Sequence, residues 1–306
     1  MEIITGTTKY SMKKDTVVAI GKFDGIHVGH QSILKAMLKY KEWDYQTVVF
    51  TFDKPPASLL GREAQKDLST KEEKRDAFCK KGMDYVIEFP FTEETCKIEP
   101  EDFIRTILKE QLMAKAVVAG PDLRFGYKGR GDEEMLKEEG ARLGIEVAVL
   151  PKATYNGKEI SSTYVRKEVE EGNMDVVREL LGEPYSVYGK VVHGNHLGHK
   201  IGMPTVNMIP PSNKLLPKSG VYLSKTICCG QVYNSISNIG YKPTVSEERQ
   251  IGLETHIYDF QKDIYEENVK VLLLKHMRDE KKFSGVEELK EVLERDKEEG
   301  RKMHGI

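Results

Sequence analysis

The 306-residue sequence predicts an α/β chain: a parallel sheet covered by helices in the N-terminal half, then a small antiparallel β-barrel with a terminal helix. Three observations predict it. Up to about residue 160, short β-rich runs alternate with helical ones, the pattern of parallel strands joined by covering helices. Beyond Pro184 the texture changes to β-rich runs separated by glycine, proline and asparagine. The length also exceeds a typical single core and suits two domains of about 100 to 200 residues each.

In order, strands are expected near 16–20, 46–52, 84–88, 115–119 and 145–150, and helices over 29–41, 70–81, 100–112, 132–143 and 163–181. The first strand is the apolar run Val17, Val18, Ala19 and Ile20, and the first helix carries Ile33, Leu34, Met37 and Leu38 at helical spacing. Gly182 suits the residue just past the helix over 163–181, and Pro184 discourages its continuation. The domain boundary is therefore placed there, dividing the chain into 1–183 and 184–306. Barrel strands are expected over 185–193, 220–228, 231–238, 252–260 and 268–277, with a hairpin turn at Cys229, Gly230 and Gln231. Val286, Leu289, Val292 and Leu293 mark an amphipathic helix over 285–297.

The 47 basic and 49 acidic residues nearly cancel, so no net field recruits nucleic acid or an anionic membrane, and phosphate binding must come from local arrangement. A small-molecule substrate is expected. No apolar stretch approaches the roughly 20 residues that span a bilayer, and the N-terminus has no signal-peptide core. A cytoplasmic protein is expected. Cys79, Cys96, Cys228 and Cys229 lack the paired spacing of a zinc site and are assigned to packing as reduced thiols.

Residues 21–30 read GKFDGIHVGH, between the first strand and the first helix. His27 and His30 sit three apart at the helix start, where unpaired N–H groups and the helix dipole favour an anion. Gly25 and Gly29 permit close approach of a ligand to the backbone. Residues 120–132, GPDLRFGYKGRGD, follow the strand at 115–119, so both segments lie where ligands bind parallel sheets. There Arg124 or Lys128 suits a phosphate, Phe125 a planar ring, and Asp122 the hydrogen bonds of an acceptor substrate. A plain glycine-rich surface loop is the alternative. Ser161, Ser162 and Thr163 precede a helix with Arg166 one turn in, an arrangement that suits capping, polyphosphate binding, or both.

In the second half, Gly198 to Asn207 read GHKIGMPTVN. Pro204 fixes the backbone, while Thr205 and Asn207, two apart on an extended segment, present a hydroxyl and an amide oxygen on one side, suited to magnesium or a phosphate. The alternative is a turn at a strand edge. Glu254, His256, Tyr258 and Phe260 share one face of a strand, so Glu254 is either a general base for a hydroxyl nucleophile or a member of a surface salt bridge.

GKFDGIHVGH, TFDKPP (51–56), GPDLRFGYKGRGD and ISSTYVR (160–166), followed by GHKIGMPTVN, SGVYLS (219–224), NIGYKPTV (238–245), LETHIYDF (253–260) and MRDEKKF (277–283), closely resemble the prokaryotic bifunctional riboflavin kinase and FAD synthetase family over nearly the whole chain. The resemblance implies a Rossmann-like nucleotidyltransferase domain that adenylylates FMN to FAD with release of pyrophosphate. It also implies a riboflavin kinase-like barrel that phosphorylates riboflavin to FMN. His27 and His30 would then hold ATP phosphates, with Gly21, Phe23, Asp24, Gly29, Ser161, Ser162, Thr163 and Arg166 in the ATP site and Asp122, Arg124 and Phe125 at the flavin. In the barrel, Gly198, Gly202, Pro204, Thr205 and Asn207 would hold ATP, Thr205 and Asn207 also Mg2+. Glu254 would deprotonate the ribityl hydroxyl, and Arg278 would lie near the flavin. The implied partners are riboflavin, FMN and ATP, without nucleic acid or membrane, on a monomer or weak homo-oligomer. The chain departs from the family's usual pattern at Lys54-Pro55-Pro56, at His199 and at Leu123. Competing readings keep only one half active, or make the chain a flavin and nucleotide sensor without turnover.

Overall fold

A computed structural model describes residues 1–54, 65–193, 203–242 and 250–306. By its contacts the chain divides into two units: Met1–Gln65 with Lys71–Ser161, and Lys66–Thr70 with Ser162–Ile306. The helical segment after Ser161, which the sequence places before the boundary at 183, groups with the second unit.

The first unit is a parallel sheet of β1 (Glu2–Thr5), β2 (Thr16–Ile20), β3 (Gln46–Phe52), β4 (Tyr85–Phe89), β5 (Ala114–Ala119) and β6 (Glu146–Val149). Its order is β1-β4-β3-β2-β5-β6, and every neighbouring pair is parallel. All of β2 is buried because both its faces are covered. Val17 and Ala19 pack with Leu34, Met37 and Phe78 of helices α1 (Val28–Leu38) and α2 (Lys71–Lys80). Val18 and Ile20 pack on the other face with Ile104, Leu108 and Leu136. Those side chains come from α3 (Pro100–Asp102, continued as a π-helix over Phe103–Gln111) and α4 (Glu133–Leu143). From β2 the chain proceeds to β3 on one side, whereas β5 lies on the other and leads to β6. The segments after β2 and β5 therefore flank the crevice at the point where strand order reverses.

Three strands described in this unit were not foreseen. β1 is a mostly exposed edge strand without an apolar run, and its pairing to β4 supplies its order. β7 (Thr154–Tyr155) and β8 (Lys158–Glu159) form a hairpin whose turn places Asn156 and Gly157 at φ 48° and 76°, as an Asn-Gly turn of this kind requires.

In the second unit the single helix expected over 163–181 is two, α5 (Ser162–Glu170) and α6 (Met174–Leu181). Gly172, at φ +77°, takes the left-handed conformation that ends α5. Strands β9 (Tyr185–Val192), β10 (Val206–Met208), β11 (Gly220–Cys228), β12 (Gln231–Lys242), β13 (Gln250–Ile257) and β14 (Asn268–Asp279) close an antiparallel barrel in the order β10-β13-β12-β11-β14-β9. Cys229 and Gly230, at φ 50° and 72°, make the expected hairpin turn between β11 and β12. Helix α7 (Val286–His304) is longer than expected and packs Leu293 against an outer-face cluster of Met203, Leu223, Ile236 and Tyr258. Cys79 and Cys229 are exposed, so the packing role assigned to all four cysteines fits Cys228, which is buried, and not these two.

The barrel interior is not wholly apolar. Ser224 Oγ lies 2.8 Å from both Ser235 and Ser237, Thr226 donates to Ser235 at 2.9 Å, and Ser237 lies 2.8 Å from Thr255 Oγ1. Each buried hydroxyl thus finds its partner in another hydroxyl, which removes the cost of burying it.

Residues 66–70, inserted between elements of the first unit, pair with the second. Asp67 N donates to Asn213 O at 2.6 Å, and Leu215 N donates to Asp67 O at 2.8 Å. Lys214 is only 2% exposed, so its charge needs partners: Nζ donates to Leu68 O at 2.7 Å and lies 4.4 Å from the centre of the Tyr185 ring. Tyr185 donates to Leu215 O at 2.7 Å, and Leu68 itself is fully buried. Leu68→Ala is expected to destabilise the barrel unit by about 2–5 kcal/mol through lost burial and the cavity left behind, seen as a lowered barrel transition in scanning calorimetry.

Candidate functional site

The segment after β2 is shaped around the two histidines. His27 caps α1: its Nδ1 accepts from the His30 backbone N–H at 3.4 Å, which leaves the proton of the neutral ring on Nε2. The His27 and His30 rings stack with centroids 3.8 Å apart and planes at 22°. Phe23 is buried against this pair, 5.1 Å from the His30 ring and edge-on to Phe78 at 5.5 Å. To reach that position Phe23 takes φ 49°, and Ile26 takes φ 40°, with Gly25 at 81° between them. Such conformations persist only where the surroundings hold them. A Cβ on Gly29 would lie 3.2 Å from the His27 ring, and one on Gly21 would lie 3.2 Å from Phe23. These glycines make room for the protein's own rings. Asp24 is half-buried in the same turn.

Burial lowers the pKa of His27 to about 4 and, with repulsion from His27, that of His30 to about 3. His30 Nδ1 is buried without a hydrogen-bond partner. Two neutral, desolvated rings thus stand at a helix N-terminus, a chemistry suited to an anion.

The segment after β5 divides its predicted residues between surface and core. Asp122 is exposed and pairs with Lys152 at 2.7 Å. Arg124 lies 3.4 Å from Asp132, which caps α4 by accepting from Met135 N at 3.1 Å. Phe125 is not a platform open to a planar ligand: it is 4% exposed and packs against Phe103 with centroids 5.5 Å apart. The Phe125–Gly131 backbone bridge, with bonds of 3.1 and 3.0 Å, holds it there. A Cβ on Gly131 would fall 2.5 Å from the Phe125 ring, so the glycine admits the aromatic. Leu123 is likewise in the core.

Ser161 ends the first unit's portion of the chain, while Ser162, Thr163 and Arg166 open α5 in the second. Arg166 is buried, and its Nη1 donates to the Lys66 carbonyl.

The barrel gathers its candidates by register. Asn207 on β10 is opposite Glu254 on β13, Glu254 is opposite Asn238 on β12, Asn238 is opposite Val221 on β11, and Val221 is opposite Arg278 on β14. Directly opposed residues share a face, so Asn207, Glu254, Asn238 and Arg278 form one lateral row. Arg278 is held by Asp296 of α7, Nε at 2.9 Å and Nη2 at 2.6 Å. Among the described residues, one cavity is lined by Glu254, Asn238, Arg278, His256, Met203 and Thr205. A second, of ≈ 380 Å³, is lined by Thr205, Thr255, Phe260, Lys262 and Tyr265. Thr205 belongs to both. Asn238 was not singled out in the sequence; its signal was its place in NIGYKPTV, and only strand pairing sets it beside Glu254. Gly198, His199 and Gly202 lie outside the described residues, as do Pro55 and Pro56.

The FAD synthetase family model matches residues 9–164, and the riboflavin kinase family model matches residues 181–304. The bifunctional riboflavin kinase/FMN adenylyltransferase of Bacillus subtilis (strain 168) is 35% identical over 93% of this chain and 91% of its own. The Escherichia coli (strain K12) protein of the same name is 32% identical over 100% of this chain and 99% of its own. The chain belongs to the bifunctional riboflavin kinase/FMN adenylyltransferase family. A solved structure from Streptococcus pneumoniae, described as a macrolide-efflux protein, is 30% identical with a TM-score of 0.88 over 98% of both chains. No described helix of the present chain is long and apolar enough to cross a membrane.

For this family member the histidine pair gives a pH prediction. Unfolded histidine takes a proton near 6.5, whereas the folded rings do so only near 4 and 3. Between those values the unfolded state binds more protons, so folding stability falls as pH drops below about 6.5. Urea unfolding at pH 7 and pH 5 is expected to show a smaller loss in His30→Asn than in the unsubstituted protein, and an equal loss contradicts the assignment.

Proposed function

We propose that the row on the barrel and the histidine pair on the parallel sheet are the two active centres of successive flavin reactions. The observation that carries the first is the register itself, which sets a carboxylate in one row with two amides and an arginine, of which Glu254, Asn238 and Arg278 line a cavity that shares Thr205 with a second. Glu254 accepts the proton of the riboflavin ribityl 5′-hydroxyl as that oxygen bonds to the γ-phosphorus of ATP and the bond to ADP breaks. The products are FMN and ADP. Arg278, fixed by Asp296, borders the flavin side, while Thr205 and Asn207 face the phosphates.

Among the described residues no cluster of three or more acidic, histidine or cysteine side chains makes a metal cage. Mg2+ needs none where substrate phosphates supply most of its oxygens, and the Thr205 hydroxyl and Asn207 amide oxygen are hard donors of the right kind. When bound there, the ion would offset phosphate charge.

At the parallel sheet, the phosphate of FMN attacks the α-phosphorus of ATP in line, the bond to pyrophosphate breaks, and FAD forms. His27 Nε2–H and the His30 ring donate to oxygens that gain charge, with Gly21, Phe23, Asp24 and Gly29 shaping the turn. Ser161, in the same unit, serves the same nucleotide, and Asp122 and Arg124 border the flavin. Phe125 and Leu123 act by anchoring their loop. Residues 1–183 and 184–306 are the functional halves, and a cytoplasmic location follows from the substrates.

Glu254→Gln is expected to lower FMN formation from riboflavin by at least about 100-fold and to leave FMN-to-FAD conversion intact, measured by chromatographic separation of flavins. His30→Ala is expected to do the reverse, by about 100- to 1,000-fold. Loss of both activities in either variant contradicts two independent centres, and binding without product from either flavin favours the sensor.

A further inference from the structure

We propose that His256 is a positioning residue of the barrel site whose two ring nitrogens serve different partners: Nδ1–H holds the Pro204 carbonyl, and Nε2 accepts a hydrogen bond from a hydroxyl of the polyol substrate. This rests on the reading that the barrel site phosphorylates such a hydroxyl. Nδ1 lies 2.9 Å from Pro204 O. A carbonyl only accepts, so Nδ1 carries the proton, and in the neutral ring Nε2 is left with a lone pair. Burial lowers the pKa of His256 most, the Pro204 bond and Glu294 oppose that, and Lys297 and Arg301 add to the lowering, so the balance favours the neutral ring. The ring is locked in place, 8% exposed and edge-on to Tyr258 at 5.3 Å, whose hydroxyl donates to Lys297 O at 2.8 Å.

Each half of this arrangement has a consequence. Pro204 has no N–H, so its carbonyl is the one backbone hydrogen-bonding group that this residue supplies. The residue after it is Thr205, which borders both cavities, and Val206 is opposite Thr255, which brings the Thr205 position alongside His256. The Nδ1 bond therefore sets where the hydroxyl between the cavities stands. On the other side, His256 and Glu254 line the same cavity from alternate positions of β13, about 6.6–6.8 Å apart along the strand. A polyol chain bridges that distance with one hydroxyl at Glu254 and another at the imidazole. A flavin side chain fits this pair of acceptors, whereas an isolated alcohol reaches one only.

Two substitutions in the full chain separate the roles. In His256→Asn the amide N–H stands where Nδ1 stood, which keeps the Pro204 bond and removes the Nε2 acceptor. In His256→Gln the amide reaches the Nε2 position and the Pro204 bond is lost. His256→Asn is expected to raise the KM for riboflavin about 2- to 12-fold, the range of one neutral hydrogen bond, with kcat near the unsubstituted value. His256→Gln is expected to lower kcat about tenfold with less effect on the riboflavin KM. Folded variants with unchanged constants, or with the same change in both constants, overturn the proposal. Imidazole 15N spectra of the unsubstituted protein supply a readout independent of turnover and of variant folding. They are expected to show Nδ1 protonated and an Nε2 signal that shifts on adding riboflavin with ADP, and an Nε2 signal that does not move overturns the proposal. An unsubstituted protein that forms no FMN contradicts the kinase reading itself, whereas Glu254-dependent turnover indifferent to His256 contradicts only the present inference.

Discussion

Strand register around the closed barrel, including the shifts between β11 and β14 beside Val221, is the constraint on which the second half depends. A slip of one residue between any two of β10, β13, β12, β11 and β14 would turn one member of the Asn207, Glu254, Asn238 and Arg278 row to the opposite face. Closure makes such a slip costly, because every strand is hydrogen-bonded on both sides. The buried hydroxyl ladder adds a second check, since Ser224, Ser235, Ser237 and Thr255 satisfy one another only in the observed register. Helix α7 then fixes the row's far end through the Arg278–Asp296 pair.

The first half reaches a comparable result with other means. Its sheet places a crevice where β2 and β5 diverge in connection, and the turn after β2 brings two imidazoles to a helix N-terminus in their neutral form. Strain at Phe23 and Ile26 is offset by burial of the Phe23 ring against Phe78 and His30. Gly21 and Gly29 of GKFDGIHVGH thereby acquire a specific meaning: they clear space for the Phe23 and His27 rings.

Much of this was legible in the sequence because its signals are local. The apolar run at Val17–Ile20, the alternation that puts Glu254 and His256 on one face, and the Thr205–Asn207 spacing each act within a few residues. What was not legible depends on distant partners. Phe125 in a glycine-rich loop has the composition of a ligand platform, and only Phe103 and Gly131 make it a core anchor. β1 is ordered by β4, eighty or so residues on, and residues 66–70 by Lys214 and Tyr185. The break between α5 and α6 was carried by Gly172, a local signal outweighed by the helical periodicity on either side.

Two separate centres on one chain, used in sequence, are tested by a time course with purified protein, riboflavin, ATP and magnesium, with the flavins separated chromatographically. FMN that rises first and then declines as FAD accumulates is the predicted result. FAD appearing from riboflavin with no FMN ever released, or no product from riboflavin while added FMN is converted, contradicts it.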